Sequence, residues 1–387
     1  MSLRSGALLL TSALLAATVA CQGGSTGDTP SFGRRLAPYP KDVWVELPAS
    51  PLGSWPNYGW VYLADGSGFV HAGAGRISGQ SFSSSKRAAL FSFADRRFRT
   101  LPDLPVSAGV GSPSGARVGD RLVVIGQDCP PMPPPSGGGI EFCAADGAGA
   151  KVVLTTKLGD ARWRRIEAPD WLRDFRWGSP TVLGVRKGRV IVSAGETDPV
   201  LAELDPVSGD WTRIDAPSNG GYEARCLVGD DIVGYPGLLS VGTGRMGPAS
   251  ASVLRAGVWT PIALPDAENI STIVCSRHGL WLTHDQTNFQ PENGDFHWDL
   301  TITWFDLATG TETVVRPHQR RHFWAAPGST YGDTLVSGGA QRTVLLTPKG
   351  ARTLPVGELA GAFDLALVGR YLISTNRPAR IMALDVG

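Results

Sequence analysis

Six residues able to bind metal ions or move protons, His284, Asp285, Glu292, Asp295, His297 and Asp299, fall within sixteen positions. Zinc sites of the helical HExxH kind and calcium loops each demand a fixed ligand spacing. Neither spacing is present, so the stretch reads as a solvated acidic loop, with no metal and no other cofactor expected. A second set joins cations to aromatic rings. It lies in DWLRDFRWGS (170–179), SNGGYEAR (218–225) and HQRRHFW (318–324). Arg pairs bidentately with carboxylates and phosphates, and aromatic faces stack on sugar rings and peptide groups. Arg176, Trp177, Arg225, Arg321, His322 and Trp324 are therefore the candidate ligand-binding residues; Trp55, Trp171, Tyr222 and Arg320 extend the set. No catalytic residue stands out. No Ser/His/Asp set has a supporting context, and GAGRISG (73–79) lacks the following helix that a dinucleotide site needs.

The cysteines carry a third kind of chemistry. The chain has 5 Cys among 387 residues. Cys129 and Cys143 bracket a Pro- and Gly-rich stretch with little core of its own, and a disulfide closing it is the natural reading. Cys226 and Cys275 occupy matching points of adjacent repeats and are either a second disulfide or two buried thiols. Cys21 ends the segment MSLRSGALLLTSALLAATVAC, with Arg4 ahead of an apolar run over residues 6–20 that is too short for a comfortable membrane span. This segment resembles a bacterial lipoprotein signal. The resemblance implies a lipidated Cys21, a cell-envelope location as an outer-membrane lipoprotein, and no other hold on the membrane. Residues 22–40 are rich in Gly, Ser, Thr and Pro and read as a flexible tether. A net charge of +1 gives no reason to expect nucleic acid as a partner.

The elements that must position these residues come from a repeat. A turn glycine followed by four or five mostly apolar residues recurs seven times, as in VGDRLVVIGQ (118–127), RKGRVIVSAGE (186–196) and YGDTLVSGGA (331–340). The turn glycines are Gly68, Gly119, Gly188, Gly229, Gly279, Gly332 and Gly369. Apolar runs without strict alternation suit strands buried on both faces. A third strand follows each run. A fourth follows with a signature seen in RWRRIEAP (162–169), DWTRIDAP (210–217) and VWTPIALP (258–265), and its final Pro suits a sheet edge. A period of about fifty residues with four strands per unit lies in the range of propeller repeats. The last repeat has three strands, and DVWVELP (42–48) is an orphan fourth strand near the start. The expected fold is all-β: one seven-bladed β-propeller of four-stranded blades over 41–387, closed by the N-terminal strand.

The unit pattern of Gly-Asp turn, apolar strand ending in Gly, and later Trp resembles kelch repeats, of the superfamily that includes galactose oxidase. Residues 321–339 match best, with Arg321-His322 before the strand, Gly332-Asp333 at the turn and Gly338-Gly339 at its end. The resemblance implies a ligand face built from the links between blades and the loops between second and third strands. The copper site of galactose oxidase has no recognisable counterpart. The resulting expectation is an envelope-anchored, monomeric module that binds a protein or glycan. The alternatives are a carbohydrate-active enzyme on the same face and a purely structural envelope component.

Overall fold

The central strands of the repeats, such as Ala88–Ser92 and Lys151–Lys157, are buried on both faces, so each must lie between two sheets. In the computed structural model of the protein, seven antiparallel four-stranded sheets meet that demand. The described residues run from Tyr39 to Asp385, apart from 41–42, 53–59, 64–65, 73–75, 79–80, 84–85, 108, 130–149, 174–179, 195–199, 216–223, 236–250, 291–294, 320–329, 340–341, 355–364 and 378–379. Residues Leu36–Gly387 form one compact unit, distinct from Met1–Arg35.

Within each blade, strands are counted from the innermost. Blade 1 contains Trp60–Tyr62, Gly68–Ala72, Ala88–Ser92 and Arg97–Leu101. Blade 2 contains Gly109–Val118, Arg121–Cys129, Lys151–Lys157 and Arg164–Ile166. Blade 3 has Thr181–Arg186, Arg189–Ala194, Val200–Leu204 and Trp211–Ile214; blade 4 has Ala224–Val228, Asp231–Tyr235, Ala251–Arg255 and Val258–Ile262. Blade 5 has Ile270–Cys275, Gly279–Gln290, Asp295–Asp306 and Thr311–Gln319; blade 6 has Thr330–Tyr331, Thr334–Gly339, Arg342–Thr347 and Gly350–Thr353. Blade 7 takes Leu365–Val368, Tyr371–Arg377 and Arg380–Asp385 from the end of the chain. Its fourth strand is Trp44–Glu46, which pairs antiparallel through Trp44 with Leu384 and Glu46 with Met382. The orphan strand therefore closes the seven-bladed β-propeller, as expected.

Alternation along each strand divides its apolar residues between two junctions. In blade 2, Leu122 and Val124 pack toward blade 1, with Val70 and Leu90. Val123 and Ile125 pack toward blade 3, with Val190 and Val192. Seven apolar clusters result among the described residues, one per junction. The junction of blades 7 and 1 is aromatic: Phe69 stacks on Phe91 at 5.0 Å and Phe93 on Tyr371 at 4.2 Å. Tyr39 joins it, edge-on to Tyr371 at 5.6 Å with the Arg96 guanidinium 4.0 Å over its ring. Tyr39, which falls in the stretch read from sequence as tether, is buried.

The fourth-strand tryptophans link neighbouring blades. Trp163, Trp211 and Trp259 each donate an indole N–H to a carbonyl at the end of the preceding blade's fourth strand, on Pro102, Glu167 and Asp215, at 2.8, 3.1 and 2.8 Å. In blade 5 the register places Glu312 opposite Phe305, where Trp259 stands opposite Leu254 in blade 4. That junction has a covalent link instead. Cys226 and Cys275, on the innermost strands of blades 4 and 5, form a disulfide with Cα atoms 5.8 Å apart.

Of the seven turn glycines, Gly119, Gly188, Gly229, Gly332 and Gly369 adopt the positive φ that the turns require. Gly68 and Gly279 do not, and this corrects the alignment. They are strand residues where a Cβ would collide with the Phe91 and Phe305 carbonyls. In blade 1 the positive φ belongs to Gly66, whose backbone lies against Gly369 of blade 7.

Candidate functional site

The two rims of the ring differ. On one, a strand turns back within its own blade. Two residues suffice between first and second strands at Val118–Arg121, Arg186–Arg189, Val228–Asp231, Tyr331–Thr334 and Val368–Tyr371. These turns are fastened to the next blade. Arg117 donates to the Ser67 hydroxyl at 3.2 Å, Arg186 to the Asp230 carbonyl at 3.4 Å, and the Arg277 N–H to the Gly332 carbonyl at 2.8 Å. The His278 Nδ1 pairs with Asp333 at 2.6 Å. The opposite rim carries the links between blades and the connections between second and third strands. It includes the strand ends at Cys129, Lys151, Tyr235 and Ala251, and a small hairpin of Arg76–Ser78 with Ser81–Ser83. The strand ends that bound the longest connections in the sequence thus lie on a single rim, called here the loop rim.

Strand ends beneath the loop rim bury polar groups that an apolar junction would not need. His71, at the end of the second strand of blade 1, is 0% exposed and its Nδ1 meets the Ser50 hydroxyl at 2.9 Å. Burial pushes its pKa down to about 4, so the ring is neutral at physiological pH. In blade 2, Lys151 lies opposite Gln127, and both are buried. Burial also lowers the Lys151 pKa. In blade 4, Tyr235 donates to the Ile273 carbonyl at 3.4 Å, and burial pushes its hydroxyl up to about 12. In blade 5, the buried His284 sets Nε2 at 3.1 Å from both the Thr303 hydroxyl and the Glu312 carboxylate. Its Nδ1 is 3.8 Å from Asp266.

Of the candidate ligand-binding residues, the structure places Arg225 directly. It sits on the innermost strand of blade 4, opposite Gly234, and is 7% exposed. Arg176, Trp177, Arg321, His322 and Trp324 lie outside the described residues, as do Cys21 and Cys143; Cys129 ends a strand whose backbone is described. Trp171 is not a free platform. It belongs to a short helix, Asp170–Arg173, and packs in the junction of blades 2 and 3, edge-on to Trp211 at 5.8 Å.

Within the acidic stretch, residues 284–290 and 295–299 are strand and not loop, and residues 291–294 lie outside the described residues. The backbone of these two segments continues the second and third strands of blade 5 as a regular ribbon. His284 lies opposite Thr301 and His297 opposite Asn288, so the two histidines stand four positions apart along it. Among the described residues, no three His, Cys, Asp or Glu side chains come together as a metal would require. His71, Lys151 and Gln127 were missed as site residues. Their signal in the sequence is a polar residue at the loop-rim end of an otherwise apolar strand.

The whole ring has counterparts among solved structures. The chain is similar to one described as "YCF48 bound to D1 peptide", at TM-score 0.52 and 11% identity, over 93% of this chain and 99% of that one. It is also similar to one described as "Structure of YjhT", at TM-score 0.46 and 12% identity, over 80% and 99%. At such identities the likeness to YCF48 is one of fold. No family model and no curated protein matches the sequence.

Proposed function

We propose that this chain is a binding module that presents its loop rim to a partner protein, held at the cell envelope by lipid on Cys21. The observation that carries the reading is the contrast between rims. One is short, stitched and occupied in holding blades together. The other is long, varied and underlain by His71, Lys151, Arg225 and His284. Loops on a rigid ring are where a propeller places recognition. The similar fold described as bound to a peptide supports a protein ligand over a glycan. The kelch-like repeat and the lipoprotein-like leader support the same reading from the sequence. Arg176, Trp177, Arg321, His322 and Trp324 are the proposed contacts, beside Arg225. A disulfide between Cys129 and Cys143 is proposed to close the loop of blade 2.

The test is a screen of peptide and glycan arrays with a soluble form lacking residues 1–21. A peptide ligand that weakens at least tenfold when Arg176 and Arg321 are both replaced by Ala supports the reading. Unaltered affinity at low salt, where charge effects are largest, removes these residues from the site, and a ligand found only among glycans replaces the partner. For the anchor, Cys21→Ser should move the protein from the membrane to the soluble fraction. No helix among the described residues is long and apolar enough to cross a membrane. Persistence of the processed variant in salt-washed membranes would show that Cys21 is not the anchor.

A further inference from the structure

Blade 5 departs from the four-stranded plan at its loop-rim end. Its second and third strands pair over twelve positions, from Gly279 opposite Asp306 to Gln290 opposite Asp295. The first strand begins at Ile270, opposite His284, and the fourth reaches only Gln319, opposite Leu300. Beyond these points Asp285–Gln290 pair with Asp295–Leu300 alone. Among the described residues no strand covers the other edge of Asp285–Gln290. Six residues at 3.4 Å each make a ribbon about 20 Å long.

Proteins usually protect such an edge with Lys, Pro or a bulge. Here the pairing runs without a register shift, and residues 284–300 contain no Lys or Arg, with the one Pro, Pro291, falling in the sequence between the two strands. A two-stranded ribbon is marginal by itself and gains from a third strand. Its chemistry narrows what that strand can be. Asp285, Glu292, Asp295 and Asp299 make the segment acidic, so self-pairing of two copies would set like charges together. Alternation in the observed register places Asp285, Thr287, Phe289, Phe296, Trp298 and Leu300 on one face. It places Gln286, Asn288, Gln290, Asp295, His297 and Asp299 on the other. The root is held by the His284 contacts to Thr303 and Glu312.

We propose that the edge of Asp285–Gln290 takes an extended segment of a partner protein as a third strand, one that alternates basic and apolar residues. Main-chain hydrogen bonds supply the affinity common to strand addition, and the two faces read the alternation. The proposal rests on the reading of the chain as a protein-binding module and gives that module a specific ligand class.

The test uses the full chain in mild detergent and fluorescence anisotropy with three labelled heptapeptides: KVKVKVK, EVEVEVE, and KVKVKVK N-methylated at alternate residues. Binding of the first, with at least tenfold weaker binding of the other two, is expected. Replacing Asp295 and Asp299 together by Lys keeps the backbone and should reverse the preference between the Lys and Glu peptides. Replacing residues 285–300 with an Asn-Gly turn should abolish binding while the ring's melting transition is retained. Equal binding of the N-methylated peptide overturns strand addition but leaves peptide capture standing. Binding by the chain without the ribbon moves the site elsewhere on the loop rim. Dimers that disappear with the ribbon make a second copy the occupant and overturn the proposal. If KVKVKVK fails while an array ligand binds, this proposal falls alone; if both fail, the binding-module reading falls with it.

Discussion

His71 has no exposed surface, and burial holds its pKa near 4 against an ordinary value of 6.5. As pH falls from 6.5 toward 4, the unfolded chain takes a proton that the folded chain refuses. Stability therefore declines through that window and is fully retained above it. At 1.36 kcal/mol per pH unit the loss amounts to about 3 kcal/mol. Urea melts at pH 7 and pH 4.5 should show it, and His71→Gln should shrink the difference. An equal pH dependence in the variant would place the titration elsewhere. Trp259 offers a second test at this scale. Its N–H bond to Asp215 ties blade 4 to blade 3, so Trp259→Phe should lower stability by about 1 kcal/mol while keeping most of the ring's packing. Gly68→Ala must displace the Phe91 carbonyl and should cost about 1–3 kcal/mol, measured by the same melts.

At the scale of elements, the junction of blades 4 and 5 differs from those that precede it. Glu312 stands where blades 2, 3 and 4 have Trp163, Trp211 and Trp259, and Cys226–Cys275 bridges the innermost strands across a sequence separation of 49. The chain-entropy argument assigns such a loop about 4 kcal/mol. Replacing both cysteines by Ser should lower the melting temperature, and reducing agent should then have no further effect at this junction. The bridge itself was an open question in the sequence, because matching repeat positions fix proximity but not oxidation. Other elements were plain there. Apolar runs such as LVVI in 122–125 reveal strands buried on both faces, and Gly119 or Gly332 marks a turn. The ribbon of blade 5 was hidden by its charges, although Phe296, Trp298 and Leu300 already alternate with His297 and Asp299 at the period of a strand. The aromatic junction of blades 7 and 1 could not be read, since Phe69 and Tyr371 meet only when the ring closes. Of the Arg and aromatic candidates, residue type identified the stretches. Burial, which separates Trp171 from a ligand platform, depends on neighbours far away in the chain.

For the whole molecule, the position of Tyr39 sets a direction. It packs against Tyr371, which opens a strand at the stitched rim, and Arg96, which lies in a turn there, and Trp44–Glu46 then runs toward the loop rim, where Ser50 meets His71. In the anchored protein proposed above, the chain enters the ring on the side opposite its loops. Attaching the protein through its N-terminus to vesicles should accordingly leave peptide binding unchanged from solution, and a large loss on attachment would count against this orientation. Removing residues 41–50 should open the ring and lower stability by several kcal/mol, since a buried side chain such as Leu47 alone contributes about 1.5–3 kcal/mol; an unchanged melting temperature would mean that blade 7 stands on three strands. The same closing strand has a consequence in time. Trp44–Glu46 leaves the ribosome long before its partner Arg380–Asp385. At about 10 residues per second the interval is on the order of half a minute. Within that interval each of the other six blades receives its four strands consecutively, while the seventh can exist only after synthesis has delivered its other three. A chain released within that interval is a ring with a gap.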